Sequence, residues 1–292
     1  MALTWHIGVH KTATTHLQET LQLSTDALAR AGIFYAGPAL LRSRRFPLIQ
    51  ALDRADEDTP LALDAQQAFA RVTTAFSQQI LSDENMLGGS SRMRLFDMGG
   101  RIYPNVERRL AHAVKVLGHA PDTVAFGVRD PASFIVSAFS LQVQRGHELD
   151  FRDFLRGRDI AALDWTDFAS RVLRGSRARR LLVWRYEDYS RIRGELLAAL
   201  LPGVDLDHIP RPAPNNLGLT QAGFDWMIAQ VLDDDDCDLR HVARAAMDKF
   251  PKSAGFPGLD LVTKHEADRS RQAYEADLAA LRQLPNVEFL SP

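Results

Sequence analysis

The sequence predicts an α/β fold of three layers, in which helices cover both faces of a mainly parallel sheet. Strand-like apolar runs alternate with helical patterns over roughly the first 200 residues, an order that is typical of parallel sheets. The first strand leads through a short polar loop directly into a helix, the unit that holds phosphate groups in α/β proteins. From about Leu206 onward the strand signals fade and helices dominate, which predicts a helical C-terminal cap.

The chain is predicted to form a single domain over residues 1–292, with an α/β core over about 1–204 and a mainly helical cap over about 205–292. Because no Gly/Ser-rich or Pro-rich linker divides the chain, we expect the cap to pack on the sheet. Hydrophobic residues at 46% and charged residues at 25% are ordinary values for a globular enzyme.

Composition also limits the partners that we expect. The formal net charge of −2 gives no global field that would recruit nucleic acid or an anionic membrane. The single cysteine, Cys237, excludes an intramolecular disulfide and a cysteine-based zinc cluster. No signal peptide and no run of about 20 apolar residues is present, so we expect a cytoplasmic protein without stable membrane insertion. Nothing in the sequence indicates an oligomeric state.

Apolar periodicity and turn residues predict the individual elements in chain order. Leu3–Val9 is rich in strand formers, and Thr14–Ala31 is predicted as a helix that stops before Gly32. Pro38 to Pro60 has weak periodicity and is predicted as a long surface loop. The other elements are strands at Ile33–Tyr35, Gln79–Ser82, Thr123–Val128, Arg180–Trp184 and Val287–Leu290, and helices at Leu61–Phe76, Tyr103–Leu117, Pro131–Gln144, Gln221–Leu232, Leu239–Lys249 and Glu266–Leu284.

The strongest local signal is the run His10-Lys11-Thr12-Ala13-Thr14-Thr15, directly after the first strand. Unpaired backbone N–H groups and the helix dipole favour an anion at such a helix start. Lys11 adds a positive charge and the two final threonines add hydroxyl donors, so the loop suits a phosphate or phosphosulfate. Its spacing differs from that of a Walker A loop, in which the lysine follows a second glycine. The alternative is a capped helix start with a solvent-exposed lysine.

A second motif follows the Thr123–Val128 strand. Arg129 should point into the crevice at the carboxyl edge of the sheet, where α/β proteins bind ligands. Ser137, eight residues later, lies about two turns along the next helix. An arginine with a hydroxyl group suits a phosphate, because the guanidinium binds two oxygens at once. The alternative is an ion pair of Arg129 with Asp130 at a helix N-terminus.

Together these motifs resemble those of the sulfotransferases that depend on 3′-phosphoadenosine 5′-phosphosulfate (PAPS). Lys11-Thr12-Ala13-Thr14-Thr15 is similar to the family's phosphosulfate loop, Lys-x-Gly-Thr-Thr, and Arg129 with Ser137 is similar to its 3′-phosphate motif. A strand that ends in Tyr186-Glu187-Asp188 is a third match, and the three motifs stand in family order. The first loop and the segment Ser82–Asn85 look most like bacterial members that sulfate carbohydrates or related hydroxyl acceptors.

The resemblance implies a P-loop-like fold and the transfer of a sulfuryl group from PAPS to a hydroxyl-bearing acceptor, such as a saccharide or glycolipid. The product would be 3′-phosphoadenosine 5′-phosphate (PAP), and no metal is needed. The implied contacts are Lys11 with the sulfate and the bridging oxygen, Thr12, Thr14 and Thr15 with the 5′-phosphate, His10 and Ala13 within the same loop, Arg129 and Ser137 with the 3′-phosphate, and Tyr186 near the adenine.

One departure from the family pattern is Ala13, which stands where glycine is usual. If the position has a positive φ, alanine costs about 1 kcal/mol there, whereas at a negative φ it is harmless.

Glu84 is our choice for the base that removes the acceptor proton, because it follows a predicted strand and should emerge on the same rim as Lys11 and Arg129. Lys11 would stabilise the charge that develops on the bridging oxygen. The resemblance agrees, since carbohydrate-acting relatives use a glutamate in such a position and small-molecule relatives use a histidine. The alternatives are a structural role for Glu84, with Asp83, His10, His112 or His119 as the base.

Two other functions stay open. A P-loop kinase or NTPase would need the Walker A spacing and an aspartate for magnesium after an apolar run, and neither pattern is convincing here. A non-catalytic nucleotide-binding module would keep the fold and lose the chemistry, which the joint presence of Lys11, Glu84, Arg129 and Ser137 argues against.

Two groups of basic residues are further candidates for contacting the acceptor or the 3′-phosphate. One group should border the acceptor cleft, where it would suit an anionic acceptor unless the side chains are simply solvated: Arg42, Arg44, Arg45, Arg92, Arg94 and Arg101. The other group, in the C-terminal part of the chain, could contact the 3′-phosphate: Lys249, Lys252 and Lys264.

Overall fold

The computed structural model describes residues 2–54, 60–97, 101–147, 149–213, 218–234 and 236–292. Within these ranges the strands are β1 (Ala2–His6), β2 (Ile33–Ala36), β3 (Gln78–Ser82), β4 (Thr123–Val128), β5 (Arg180–Arg185) and β6 (Val287–Leu290). They form one six-stranded sheet in the order β2-β3-β1-β4-β5-β6, and every neighbouring pair is parallel. The parallel sheet predicted from the sequence is confirmed, including its short last strand.

Helices connect the strands. In the described ranges they are α1 (Thr14–Leu23), α2 (Thr25–Arg30), α3 (Pro38–Leu41), α4 (Leu48–Asp53), α5 (Pro60–Ala75), α6 (Arg92–Leu95), α7 (Val106–Leu117), α8 (Pro131–Gln144), α9 (Phe151–Leu155), α10 (Trp165–Ser176), α11 (Tyr189–Leu200), α12 (Gln221–Asp233), α13 (Leu239–Lys249) and α14 (Lys264–Leu281). None of these helices combines the length and the apolar character that crossing a membrane requires.

The sheet is covered on both faces. Side chains of successive strand residues point to opposite faces, so Val124 and Phe126 of β4 lie in a large apolar core with α5, α7, α8, α10 and α14. Ala125 lies in a smaller core on the other face, together with α1, α2 and α11. The three-layer α/β/α arrangement that the sequence predicts is therefore confirmed.

The β4–α8 unit has the boundaries predicted from the sequence. A buried apolar strand ends at Val128, and the Asp130 carboxylate accepts a hydrogen bond of 3.0 Å from the Ser133 amide. Pro131 occupies the first helical position, where its missing N–H would have no partner anyway. This N-cap fixes the direction in which α8 leaves the carboxyl edge of the sheet.

The structure corrects three predicted elements. The first strand ends at His6 and not at Val9, because Gly8 turns the chain with a φ of 34°. The single helix predicted from Thr14 to Ala31 is broken at Ser24, whose hydroxyl donates a 2.7 Å hydrogen bond to the Thr20 carbonyl.

The third correction concerns the stretch from Pro38 to Pro60, which was predicted as a loop. It contains the short helices α3 and α4, which bury Leu41, Leu48 and Leu52. Residues 55–59 of that stretch lie outside the described ranges.

Candidate functional site

The loop between β1 and α1 has an unusual backbone. Gly8, Lys11 and Ala13 have φ values of 34°, 66° and 63°. The hydroxyls of Thr12 and Thr14 both donate to the Val9 carbonyl, at 2.7 and 3.0 Å. A Cβ at position 8 would lie 2.3 Å from Thr14 Cγ2, so glycine is required there. Internal hydrogen bonds therefore hold the loop in its shape.

The same loop leaves backbone donors for an anion. Ala13 is the N-cap of α1, and no side chain caps this helix, so the amides of its first turn lack a side-chain acceptor. Thr15 is exposed. A hydroxyl has one proton to donate, and those of Thr12 and Thr14 are already used within the loop. The amides of His10 and Thr12 are also used, by the Tyr103 hydroxyl and the Val9 carbonyl. The donors left for an anion are the other loop amides and the exposed Thr15 hydroxyl.

Ala13 occupies the left-handed region that favours glycine. We therefore expect Ala13→Gly to raise the free energy of unfolding by about 1 kcal/mol, measured by urea denaturation. Ala31→Gly is the matched control, because Ala31 is exposed and has a φ of −84°. It should lower the free energy of unfolding by a few tenths to about 1 kcal/mol. Equal destabilisation by both changes would contradict this account of the loop.

Arg129 connects the loop to the elements beside it. Its Nη1 donates to the Lys11 carbonyl at 2.8 Å, and its Nε donates to Ser133 Oγ at 2.9 Å. The guanidinium carbon lies 4.3 Å from the centre of the Tyr186 ring, a cation–π distance. Burial lowers the pKa of Arg129 from its usual value. The structure thus brings together three residues predicted for the site and adds Ser133, which the sequence analysis missed.

Two more candidate groups lie further along α8 and in the C-terminal part of the chain. Ser137 is half-buried and lies one turn after Ser133. Partial burial and the positive charge of Arg129 lower the pKa of Lys252, which places this lysine in the electrostatic range of Arg129.

The other two C-terminal lysines, Lys249 and Lys264, contact other side chains. Lys249 lies over the Trp226 ring at 4.9 Å, and Lys264 pairs with Asp268 at 2.7 Å. Of these three lysines, Lys252 is therefore the one whose pKa is lowered by burial and by the charge of Arg129.

Glu84 is held beside the loop. Its Oε2 accepts a 3.0 Å hydrogen bond from Gln18 Nε2, and its Oε1 pairs with Arg42 at 3.0 Å. Gln18 lies one turn into α1, which places the carboxylate within one helical turn of the loop. Burial alone raises the pKa of Glu84, but His10, the Gln18 amide and the Arg42 guanidinium outweigh it and bring the pKa below its usual value. The group is therefore ionised at neutral pH.

Asp83 has a different environment. Arg42 contacts both of its carboxylate oxygens, at 2.8 and 2.7 Å, and the Asn85 amide donates to it at 2.8 Å. Its side chain has no exposed surface. Asp83 thus caps the 3₁₀ helix Glu84–Leu87 and holds the segment that carries Glu84, without an oxygen that faces a ligand.

The histidines differ in position. The ring and the amide of His10 both contact the Tyr103 hydroxyl, at 2.8 and 3.1 Å. Burial lowers the pKa of His10 to about 4, so the ring is neutral at pH 7 and brings no charge to an anion. His119 precedes β4 and lies at the amino edge of the sheet, opposite the loop. His112 lies within α7.

The arginines of the two predicted acceptor-cleft segments are mostly engaged. Arg94 pairs with Asp53 at 3.1 Å and Arg101 with Asp167 at 3.4 Å. Arg92 is buried and donates to the Phe154 carbonyl. Arg44 and Arg45 are exposed. Over the part of the chain that the structure describes, no three His, Cys, Asp or Glu side chains are grouped to hold a metal ion.

Comparison with known proteins gives one structural likeness. No protein-family model matches the chain, and no curated protein matches it. Among solved structures, a sulfotransferase from Alicyclobacillus acidocaldarius aligns with 85% of this chain and 95% of its own length, at 14% sequence identity and a TM-score of 0.40.

Proposed function

We propose that this protein transfers a sulfuryl group from PAPS to a hydroxyl group of an acceptor, a carbohydrate or a glycolipid. The observation that carries the proposal is the grouping of Lys11, Arg129 and Glu84 at the carboxyl edge of the parallel sheet. Arg129 bonds the Lys11 carbonyl, and Glu84 is bonded to the first turns of the helix that follows Lys11. A cation, a phosphate-binding arginine and an ionised carboxylate are the groups that sulfuryl transfer requires.

The charges of the site suit a donor with several negative groups. Lys11, Arg129 and Lys252 have no carboxylate within ion-pair distance among the residues that the structure describes. Their charges repel one another, which contributes to lowering the pKa of Lys11 after the larger effect of burial. A polyanion that binds between them relieves this repulsion. The residues therefore fit the phosphosulfate and the 3′-phosphate of PAPS.

Each group has a proposed place. The phosphosulfate lies at the N-terminus of α1, with the side chains of Lys11 and Thr15 and the amides of Lys11, Ala13 and Thr14. The 3′-phosphate lies with Arg129, Ser137 and Lys252, and Ser133 holds the Arg129 side chain. Tyr186 lies near the adenine and supports Arg129 from the other side.

In the transfer step, the acceptor oxygen forms a bond to sulfur and the bond between sulfur and the 5′-phosphate oxygen breaks. The electron pair of that bond stays on the phosphate oxygen, which leaves as part of PAP. Lys11 stabilises the negative charge that develops there. The Glu84 carboxylate takes the proton of the acceptor hydroxyl, so no metal has to activate the acceptor.

The test is the binding of PAP, AMP and ATP by calorimetry, with and without magnesium. We expect PAP to bind without metal and more tightly than AMP, because only PAP carries a 3′-phosphate. Arg129→Ala should weaken PAP binding by about a hundredfold and AMP binding much less. Arg179→Ala is the matched control, since this arginine is 86% exposed and lies next to β5 at the amino edge.

The other outcomes separate the remaining functions. A preference for ATP with magnesium would favour a kinase or NTPase and count against sulfuryl transfer. Tight PAP binding without any transfer from PAPS would favour a non-catalytic nucleotide-binding module. Failure to bind any of the three nucleotides would overturn the proposal.

A further inference from the structure

We propose that the acceptor carries a negatively charged oxyanion group besides the hydroxyl that is sulfated, and that Arg145 binds this group. The proposal rests on the proposed sulfuryl transfer, since it assigns a substrate class to the same site.

The position of Arg145 follows from helix α8. This helix has 14 residues and is therefore about 21 Å long. Arg129 lies two residues before its first residue, Pro131, and Arg145 directly follows its last residue, Gln144. The two guanidinium groups thus start from opposite ends of one rigid helix and cannot bind the same small anion.

The contacts of Arg145 place it on the Glu84 side of the site. Its Nη1 donates to Ser90 Oγ, and Gln142 Nε2 donates to the Ser90 carbonyl at 2.7 Å. Ser90 follows the 3₁₀ helix that begins at Glu84. The C-terminal end of α8 is therefore tied to the segment that carries the proposed base. The charge of Arg145 also reaches the loop, because it contributes to lowering the pKa values of Lys11 and His10 after the larger effect of burial.

Arg145 differs from the arginines around it in lacking an acidic partner. Arg42 and Arg94 both pair with carboxylates. Arg145 is exposed, and no carboxylate of the described ranges lies within ion-pair distance of it. Arg240 donates a 2.9 Å hydrogen bond from its Nε to the Arg145 carbonyl. It also has no carboxylate within ion-pair distance in the described ranges. A guanidinium that is hydrogen-bonded to Ser90 and has no acidic partner in the described ranges is a favourable site for an oxyanion.

The direction of attack assigns this charge to the acceptor. In a displacement at sulfur, the acceptor oxygen approaches from the side opposite the leaving phosphate, which is the side of Glu84. The negative groups of the donor already have Lys11, Arg129 and Lys252 as partners. Arg145 is therefore left to bind an anionic group of the acceptor. A carboxylate, a phosphate or a sulfate ester on a saccharide would each supply such an oxyanion.

The experiment measures the binding of four probes to the PAP-saturated protein by calorimetry. The probes are methyl β-D-glucopyranoside, which is neutral, and its glucuronide, 6-phosphate and 6-sulfate counterparts. We expect at least one anionic probe to bind more tightly than the neutral one, and Arg145→Gln to weaken that probe about tenfold or more. The neutral probe should bind the unmodified protein and Arg145→Gln equally. The anionic probe that binds most tightly identifies the oxyanion group of the acceptor.

Three controls accompany the measurement. Arg145→Lys should keep part of the preference, because it keeps the charge but loses the bidentate geometry. Arg179→Gln should behave as the unmodified protein. The dissociation constant of PAP should change less than about twofold in Arg145→Gln, which shows that the variant is folded and its donor site is intact.

The outcomes separate this proposal from the proposed function. If the unmodified protein fails to bind PAP, the proposed function is wrong. If PAP binds but no anionic probe binds, or the neutral probe binds as tightly as every anionic one, Arg145 does not select an anionic acceptor. The same conclusion follows if the anionic preference persists in Arg145→Gln.

Discussion

Replacement of Lys11 by methionine is expected to lower kcat/KM for sulfuryl transfer by about a thousandfold. Methionine has a similar length and no charge, so the change removes the positive group that we propose for the leaving phosphate oxygen. The loop itself should persist, because its shape depends on the hydroxyls of Thr12 and Thr14 and not on the Lys11 side chain. The measurement is the transfer of radiolabelled sulfuryl from PAPS to the best acceptor of the glucoside series.

The dependence on pH tests whether the charge of Lys11 is the cause. Burial lowers the pKa of Lys11 from its usual value of 10.5, and the positive charges of Arg129, Lys252 and Arg145 lower it further. Because the protonated form acts, kcat/KM should be full below this pKa and fall as the pH rises through it, at a pH below 10.5.

Lys11→Arg is the matched variant, since a guanidinium stays charged at all accessible pH values. It should retain more activity than Lys11→Met and lose the alkaline limb. Activity of Lys11→Met within about threefold of the unmodified protein would show that Lys11 does not stabilise the leaving group.

Replacement of Glu84 by glutamine is the second change with a large expected effect. It should lower kcat about a thousandfold, because the amide cannot take the acceptor proton. The shape of the side chain is kept, and so is the Gln18 contact, so the dissociation constant of PAP should change little. The pKa of Glu84 lies below its usual value of 4.5. The carboxylate acts in its ionised form, so activity should stay constant as the pH falls from 8 to about 6 and decline only near that pKa.

Asp83→Asn separates the two neighbouring carboxylates. Asp83 is buried against Arg42, so its neutralisation leaves the guanidinium with Glu84 as its one acidic partner among the described residues, and it should mainly lower the free energy of unfolding. Glu84→Gln loses its ion pair with Arg42, so it should lower the free energy of unfolding less than Asp83→Asn does, and it should reduce kcat. The reverse pattern, in which Glu84→Gln keeps the unmodified rate, would mean that another group removes the acceptor proton.

The sequence predicts best those elements whose signals are local. Thr123–Val128 is an uninterrupted apolar run, and Asp130 with Pro131 marks the next helix start, so β4 and α8 have the predicted boundaries. The break at Ser24 was missed because it depends on a side-chain hydrogen bond to the backbone four residues earlier. The helix α10 was missed as well, although Asp164 caps it with a hydrogen bond to the Asp167 amide.

In the candidate site, too, the sequence predicts features with local signals and misses those that depend on distant residues. The position of Glu84 on the rim could be predicted, because it follows a strand of a parallel sheet. The role of Asp83 could not, since its partner Arg42 is 41 residues away. Lys252 and Arg145 reach the loop only through the tertiary fold. The sequence could not decide whether Ala13 has a positive or a negative φ. In the structure its φ is 63°, the conformation in which alanine is less stable than glycine.

Helix α8 joins the two ends of the site into one rigid body. Its first turn holds Ser133 at the proposed nucleotide end, and its last residues lead to Arg145 at the proposed acceptor end. Under the proposed function, the number of residues in the helix therefore sets the spacing between the donor and acceptor sites. An insertion of one residue would turn the far end by about 100° and advance it by about 1.5 Å. Substitutions at the far end leave that spacing intact, so acceptor choice can diversify during evolution while the donor end stays constant.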